Sequence, residues 1–198
     1  MNNFLNKGYT VVKGFLSQEE TRTMSIYLEN SVNRGFFIRR NGDEGVEQDP
    51  SKLYCYADPL TEFFLAGKKS QVEKIVNKSL YPTYSFARIY LEKDDLFAHT
   101  DRPACEYSVT VNVARVGEKW PLGIKDIDGN DHEIYLESGD AVVYRGCDLL
   151  HWRKPMSETG TKLNAQFMLH YVDKNGPYSS CKWDGRPKLG LSDTAKVR

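Results

Sequence analysis

The sequence has no excess of charge of either sign: 27 lysine and arginine residues balance 27 aspartate and glutamate residues in a chain of 198. No long run of one sign occurs, so binding to nucleic acid or to a membrane surface through charge is not expected. The apolar runs are far shorter than a membrane span, and the opening MNNFLNKGYT lacks the apolar core of a secretory signal. These absences predict a cytoplasmic protein.

The chain also has little cysteine, and its four cysteines lie far apart. None of their spacings is typical of a zinc knuckle or of a redox pair, and a chain of this length without a secretion signal does not need a disulfide framework. We therefore expect free thiols at Cys55, Cys105, Cys147 and Cys181.

Periodicity predicts a strand and helices first, and strands afterwards. Residues 9–15 alternate like a strand, and Ser17 with Glu20 forms a capping box before a helix whose apolar residues include Met24 and Leu28. A polar, glycine-rich loop is expected over residues 35–58, and a second helix over 60–80, ended by Pro82.

The rest of the chain is rich in valine, isoleucine, tyrosine and phenylalanine in short extended runs. These runs are SFARIYLE, EYSVTVNVA, HEIYLES, DAVVYRG and LNAQFMLHYV, with turn signals such as DIDGND between them. The pattern indicates one domain over residues 1–198, mainly β with N-terminal helices (α+β), built as a sandwich or barrel-like pair of sheets.

Histidine is scarce, with four residues in the chain, and one of them stands two positions before an acid in LFAHTDRPACEYSVTVNV. Positions i and i+2 on a strand share a face, so His99 and Asp101 can chelate one ion. His151, 50 residues beyond Asp101, follows a turn and a strand and could add the third ligand. Two imidazoles and one carboxylate leave three positions of an octahedron open, which suits non-haem Fe(II).

The two other histidines are not included in this set. His132 follows a turn signal and is interpreted as a solvated hairpin residue. His170 alternates with Gln166 and Met168, which leaves three interpretations open: an interior histidine with its hydrogen bonds satisfied, a support for a metal ligand, or a substrate contact.

Together the motifs RIYLEKDDLFAHTD, EYSVTVNV and SGDAVVYRGCDLLHWRKPMSETGTKLNAQFMLH resemble the catalytic core of the 2-oxoglutarate- and Fe(II)-dependent dioxygenases, in particular the prolyl-4-hydroxylase-like branch. The resemblance covers about residues 86–173, with a looser match at residues 8–28. It implies a double-stranded β-helix (jelly-roll) fold with a catalytic core at about 84–175.

The resemblance also implies roles for individual residues. His99, Asp101 and His151 become the iron ligands, and Lys162 the cation that pairs with the far carboxylate of 2-oxoglutarate. Lys162 lies eleven residues past His151, one more than the usual spacing, and Arg153 is the alternative. Period two places Lys162 on one face with Asn164, Gln166 and Met168.

Two further positions are implied to contact the cosubstrate, Tyr90 and Asn112. The cofactors implied are Fe(II), 2-oxoglutarate and O₂, with ascorbate as an additional one. The reaction implied is hydroxylation of an unactivated C–H bond, with release of succinate and CO₂, on a prolyl residue or a related peptide or amino acid. Three alternatives stay open: a cupin-like metal protein that does not use 2-oxoglutarate, a non-catalytic binding module, and a dioxygenase acting on a small metabolite or a nucleobase.

Overall fold

The computed structural model describes residues 3–37 and 53–190. Its helices are α1 (Asn3–Lys7), α2 (Gln18–Asn33), α3 (Pro59–Gly67) and α4 (Lys69–Val76). Its strands are β1 (Tyr9–Val12), β2 (Leu53–Tyr56), β3 (Leu80–Leu91), β4 (Leu96–His99), β5 (Tyr107–Gly117), β6 (Leu122–Lys125), β7 (Asp131–Ile134), β8 (Ala141–Arg145), β9 (His151–Arg153) and β10 (Thr161–Asp173). Short 3₁₀ helices cover Pro103–Cys105, Met156–Glu158 and Ser179–Gly185.

The strands form two antiparallel sheets. The larger has six strands in the order β1-β8-β5-β10-β3-β2, and the smaller has four in the order β4-β9-β6-β7. Sequence neighbours are often not sheet neighbours, because the chain passes repeatedly from one sheet to the other. Mainly antiparallel strands in two sheets, with helices backing one of them, confirm the predicted fold class, and the predicted jelly-roll architecture fits the strand order.

The outer face of the larger sheet packs against the helices. The sequence VTVNV in β5 alternates, so that Val109, Val111 and Val113 enter the main apolar cluster with Met24 and Leu28 of α2. The predicted capping box begins α2: Glu20 N–H donates to Ser17 Oγ (3.1 Å), and Ser17 N–H donates to Glu20 Oε2 (2.8 Å). Apolar burial on this face is the main stabilisation of the fold.

The inner face of the larger sheet is polar where it faces the smaller sheet. Gln166 in β10 stands between Arg88 in β3 and Asn112 in β5 in the strand register, so the three side chains share a face. Gln166 and Asn112 are nearly fully buried. Farther along this face, Val142 and Tyr144 of β8 join a second apolar cluster with residues of β6 and β7.

Three element boundaries differ from the sequence expectation. The helix expected over 60–80 is two helices that meet at Lys68, and Asn77, in the left-handed region at φ 55°, ends the second. Pro82 therefore lies inside β3 and ends no helix. Strand β1 is shorter than expected, and the short helix α1 precedes it. The loop expected over 35–58 includes β2; its central part, with all of RRNGDEGVEQDPSK, lies outside the described residues.

The segment that follows β10 docks against β3 and the turn after β4. Arg186, fully buried, pairs with Glu62 of α3 and donates to the carbonyl oxygen of Thr83. Asp184 accepts two hydrogen bonds from the Arg102 guanidinium, both of 2.7 Å, and one from the Tyr56 hydroxyl. Among the described residues, no helix is both long and apolar enough to cross a membrane.

Candidate functional site

His99, Asp101 and His151 meet at the edge of the smaller sheet. His99 in β4 is the direct register partner of His151 in β9, and Asp101 follows β4 after one residue. Asp101 Oδ1 lies 3.6 Å from His99 Nε2 and 3.5 Å from His151 Nε2. One atom from each residue falls within 4.8 Å of the others, so a single ion can contact all three.

Both imidazoles are oriented by backbone carbonyls. His99 Nδ1 lies 2.8 Å from the carbonyl oxygen of Phe97, and His151 Nδ1 lies 2.9 Å from that of Leu149. A carbonyl only accepts, so each Nδ1 carries a hydrogen, and Nε2, which faces Asp101, is the ring nitrogen left to bind a metal ion in place of a proton. Hydrogen bonds of this kind fix ring orientation in metal sites.

The site is closed on one side and open on the other. The side chain of His151 is 3% exposed, whereas that of His99 is 39% exposed. Burial favours the protonated form of Asp101, but hydrogen bonds with His151 and His99 outweigh burial and hold the pKa of Asp101 far below its usual range. The same Asp101 contact raises the pKa of His99. The carboxylate is therefore ionised at neutral pH and available as a ligand.

The second oxygen of Asp101 is also fixed. Ser108 Oγ donates to Asp101 Oδ2 over 2.8 Å and lies 3.0 Å from His170 Nδ1. Because the serine has one hydrogen and the carboxylate accepts it, His170 is the donor to Ser108. Gly146 lies so close that a Cβ there would overlap Asp101 Oδ2 and the Cys105 carbonyl oxygen. Of the three interpretations of His170, the contacts through Ser108 favour support of Asp101, the predicted ligand.

Next to the triad lies a polar cluster formed by Arg88, Asn112, Arg153, Asn164 and Gln166. Arg153 is 4% exposed and donates to the Trp120 carbonyl oxygen and to Gln166 Oε1. Burial lowers the pKa of Arg153 to about 10. It lies two residues after His151 on β9 and so faces the same side.

The polar cluster has hydrogen-bond donors with no partner. In the part of the chain that the structure describes, the buried side-chain nitrogens or oxygens that lack a partner are Arg88 Nε, Arg88 Nη2, Asn112 Nδ2 and Arg153 Nε. All of them are donors, and three belong to guanidinium groups. Buried donors are rarely left unpaired, so this cluster suits a ligand rich in acceptor oxygens.

Lys162 does not join this cluster. The side chain is exposed, although Asn164 and Gln166 farther along β10 are buried. The pairing of β10 with β5 shifts register between Thr161 and Leu163, and at this end of the strand Thr161 is buried while Lys162 is exposed. Lys162 is thus not buried with Asn164, and its role as the cation that pairs with 2-oxoglutarate stays a prediction.

The other expected site residues lie where the cluster meets the aromatic side chains. Tyr90 is 2% exposed, carries the Arg88 guanidinium 4.1 Å above its ring, and contacts Trp120 edge to face. Asn112 is one of the residues with an unpartnered donor. His132 lies apart in β7: Nε2 is 2.7 Å from Asp126 Oδ2, so it is a paired histidine and not a freely solvated one.

Sequence reasoning missed Arg88, Ser108 and the irregular pairing at the start of β10. Arg88 stands two residues before Tyr90 in SFARIYLE, a spacing that puts both on one strand face. An arginine inside an otherwise apolar strand was the available signal. The partnership of Ser108 with Asp101 had no signal, because it depends on how a turn folds back on β5.

No protein-family model matches the sequence, and no curated protein matches it. Solved structures do match. A prolyl-4-hydroxylase from Pseudomonas putida is 14% identical, with a TM-score of 0.67 over 86% of this chain and 95% of that one. The non-haem α-ketoglutarate-dependent epimerase SnoN from nogalamycin biosynthesis is 13% identical, with a TM-score of 0.71 over 98% and 90%. HygX from Streptomyces hygroscopicus, with nickel and 2-oxoglutarate bound, is 12% identical, with a TM-score of 0.65 over 87% and 85%.

These structural neighbours are non-haem iron and 2-oxoglutarate oxygenases, as the resemblance in the sequence predicts. At 12–14% identity the likeness shows that the chain has their fold. It confirms the predicted jelly-roll core.

Proposed function

We propose that the protein is a 2-oxoglutarate- and Fe(II)-dependent dioxygenase that hydroxylates an unactivated C–H bond of a small molecule or peptide. The observation that carries the proposal is the placement of two histidines and one aspartate beside a cluster of buried, unpartnered donors. Fe(II), 2-oxoglutarate and O₂ together supply oxidation of the C–H bond, with succinate and CO₂ as by-products. The catalytic core is assigned to residues 84–175.

We assign the metal to His99 Nε2, His151 Nε2 and Asp101 Oδ1. Nitrogen and carboxylate ligands on one side of an ion fit Fe(II), which needs open positions for a cosubstrate. Ser108 holds the other carboxylate oxygen, so that Asp101 keeps one orientation. The presence of a carboxylate, where halogenating relatives lack one, favours hydroxylation.

We assign the far carboxylate of 2-oxoglutarate to Arg153 and not to Lys162. Arg153 is buried on the same strand as His151 and has an unpartnered Nε, whereas Lys162 is exposed. The Trp120 ring lies 4.6 Å from the Arg153 guanidinium and, with Gln166, fixes its plane. A fixed planar fork is the geometry that a carboxylate prefers. Asn112 and Tyr90 complete the cosubstrate contacts.

The substrate class proposed is a prolyl residue or a related amino acid or peptide. The fold does not select among substrates, since neighbours include a prolyl-4-hydroxylase, an epimerase and an enzyme with hygromycin B bound. Substrate choice has to come from side chains around the open, His99 side of the site.

The test is anaerobic titration of the purified protein with Fe(II) and then 2-oxoglutarate, followed by absorbance. We expect a weak visible charge-transfer band, then succinate on admission of O₂, with ascorbate tested as an additive. Asp101→Ala should lose both signals. His132→Ala removes a histidine outside the triad and should keep them. No band and no succinate from the wild type would reject the proposed function.

A further inference from the structure

We propose that Arg88 binds a carboxylate of the substrate, so that the site takes a small acid or amino acid as well as 2-oxoglutarate. The inference rests on the proposed function, since it takes the metal and cosubstrate assignments above as given. It goes beyond them because it names a charged group that the substrate must carry.

Arg88 projects from β3 toward the smaller sheet. It is the register partner of Gln166, the same residue that accepts from Arg153. The face of Tyr90 fixes its guanidinium plane at 4.1 Å. His99 and Arg153 both lie close enough for the charge of Arg88 to lower their pKa, so Arg88 lies near a metal ligand and near the deeper arginine.

Arg88 forms no ion pair with an acidic side chain among the described residues. Other arginines of the chain do: Arg102 pairs with Asp184, Arg186 with Glu62, and Arg115 with Glu137. For Arg88 no ion pair occurs within the described ranges, and two of its nitrogens are buried without a partner. A guanidinium cannot shed its charge by deprotonation, so only an acceptor from outside these residues can satisfy it.

The sum of the charges in the site also indicates that the substrate carries a carboxylate. With a divalent metal, Asp101, the two guanidiniums of the polar cluster and the 2-oxoglutarate dianion in place, one positive charge is left. A substrate with one carboxylate would neutralise it. Burying an uncompensated charge is costly, so a site with this residual charge favours an anionic substrate over a neutral one.

The positions of the two arginines decide which one serves the cosubstrate. Arg153 is 4% exposed and lies on the closed side with His151. Arg88 is only partly buried, and its charge reaches His99, whose side chain is 39% exposed. The cosubstrate therefore takes the closed position at Arg153, and Arg88 is left facing the side from which a substrate enters.

The experiment measures binding without turnover. The full chain is loaded with Mn(II) and saturating 2-oxoglutarate, and calorimetry follows the addition of the common L-amino acids and their N-acetyl derivatives, each beside its uncharged carboxamide. The variants are Arg88→Gln and Arg88→Lys, with Arg153→Gln for comparison. Arg145→Gln is the matched control, because Arg145 is also a strand arginine near an aromatic ring, 5.8 Å from that of Phe4, but on the opposite face of the sheet.

We expect at least one acid to bind the loaded wild type at least about tenfold more tightly than its carboxamide. Arg88→Gln should remove that difference, Arg88→Lys should keep part of it, and Arg145→Gln should behave as the wild type. The affinity for 2-oxoglutarate should fall less than about threefold in Arg88→Gln and far more in Arg153→Gln.

Three results would overturn the proposal: no acid of the panel binds, acid and carboxamide bind alike, or Arg88→Gln weakens 2-oxoglutarate as much as Arg153→Gln does. The last result would assign Arg88 to the metal-side carboxylate of the cosubstrate. Failure of the proposed function is a different outcome, in which the wild type binds neither Mn(II) nor 2-oxoglutarate.

Thermal unfolding separates binding from a structural role. Removing an unpartnered buried charge should raise the melting temperature of the ligand-free protein by roughly 2 to 4 °C in Arg88→Gln. A lower melting temperature would show that Arg88 supports the fold, and would also overturn the proposal.

Discussion

The two faces of the six-stranded sheet differ in what they bury. The outer face buries valine, phenylalanine and leucine against the helices, as at Val111 and Phe167. The inner face buries asparagine and glutamine and carries Arg88 from the same strands, and among the described residues three side-chain nitrogens of Arg88 and Asn112 have no partner; Arg153 of the facing sheet adds a fourth. Alternate positions of one strand thus serve opposite purposes.

The difference separates stability from binding within single strands. Apolar burial on the outer face lowers the free energy of the folded state, whereas unpaired donors on the inner face raise it. A ligand that accepts from those donors recovers the loss. Substitutions on the outer face should therefore weaken the fold, and substitutions around the inner face should weaken binding.

The largest effect is expected on the outer face, at Phe167. Its side chain is fully buried, 5.7 Å from the Phe64 ring between centroids. Phe167→Ala should cost about 3 to 5 kcal/mol in the free energy of unfolding, through lost burial and the cavity left behind. Urea denaturation measures it. The control is Asn112→Ala on the inner face, expected to change stability by about 1 kcal/mol or less. Equal losses would contradict the contrast between the faces.

Substitution of Arg153 should weaken ligand binding, whereas substitution of Phe167 should weaken the fold. Arg153→Gln removes the proposed partner of the far 2-oxoglutarate carboxylate and should weaken 2-oxoglutarate by about 30- to 100-fold, about 2 to 3 kcal/mol. Equilibrium titration of the Mn(II)-loaded protein measures this affinity. An unchanged affinity would mean that another cation holds the carboxylate.

His170, which is buried on the inner face, should also make the free energy of unfolding depend on pH. Burial lowers the pKa of His170 to about 4, below its ordinary 6.5. The unfolded chain therefore takes up a proton at a higher pH than the folded protein does, and stability falls as pH drops from about 6.5 toward 4. The loss between pH 7.5 and 5 should be about 2 kcal/mol.

The variant that isolates this effect is His170→Gln, which keeps a hydrogen-bonding side chain but does not titrate. The raised pKa of His99 acts in the opposite direction, since protonated His99 stabilises the fold and that contribution is lost as pH rises. It is present in both proteins and cancels in the difference. If urea unfolding of wild type and variant gives the same pH slope, His170 is not the source.

The smallest effect is expected at Lys162. Because its side chain is exposed, Lys162→Ala should change the affinity for 2-oxoglutarate by less than about twofold and stability by less than about 0.5 kcal/mol. The Mn(II) titration used for Arg153 gives the comparison. A large loss of affinity would return the anchoring role to Lys162.

Local patterns predicted the fold class, the capping box of α2 and the strand that contains VTVNV. They succeeded because these features depend on neighbours in the sequence. The pair His99 and Asp101 was found in the same way, and the structure brings His151 to them by pairing β4 with β9. Whether these three bind iron stays a prediction that the titration tests.

Features that depend on the register between neighbouring strands could not be predicted from the sequence. Period two grouped Lys162 with Asn164 and Gln166, which are buried, but Lys162, beside a register shift before Leu163, is exposed. Nothing in TGTKLN marks that irregularity. Arg88 had a signal, as an arginine inside an apolar strand, but its lack of an acidic partner among the described residues is visible only in the structure.

The docking of the segment after β10 has a consequence for the order of folding. Asp184 meets Arg102 across 82 positions of sequence, and Arg186 meets Glu62 across 124. Contacts between such distant positions require closure of long loops, which slows their formation. His99 and Asp101 are close in sequence, whereas Arg102, their immediate neighbour, gains its partner Asp184 only through such a contact. We therefore expect the contact between Arg102 and Asp184 to be among the last in the molecule to form during refolding.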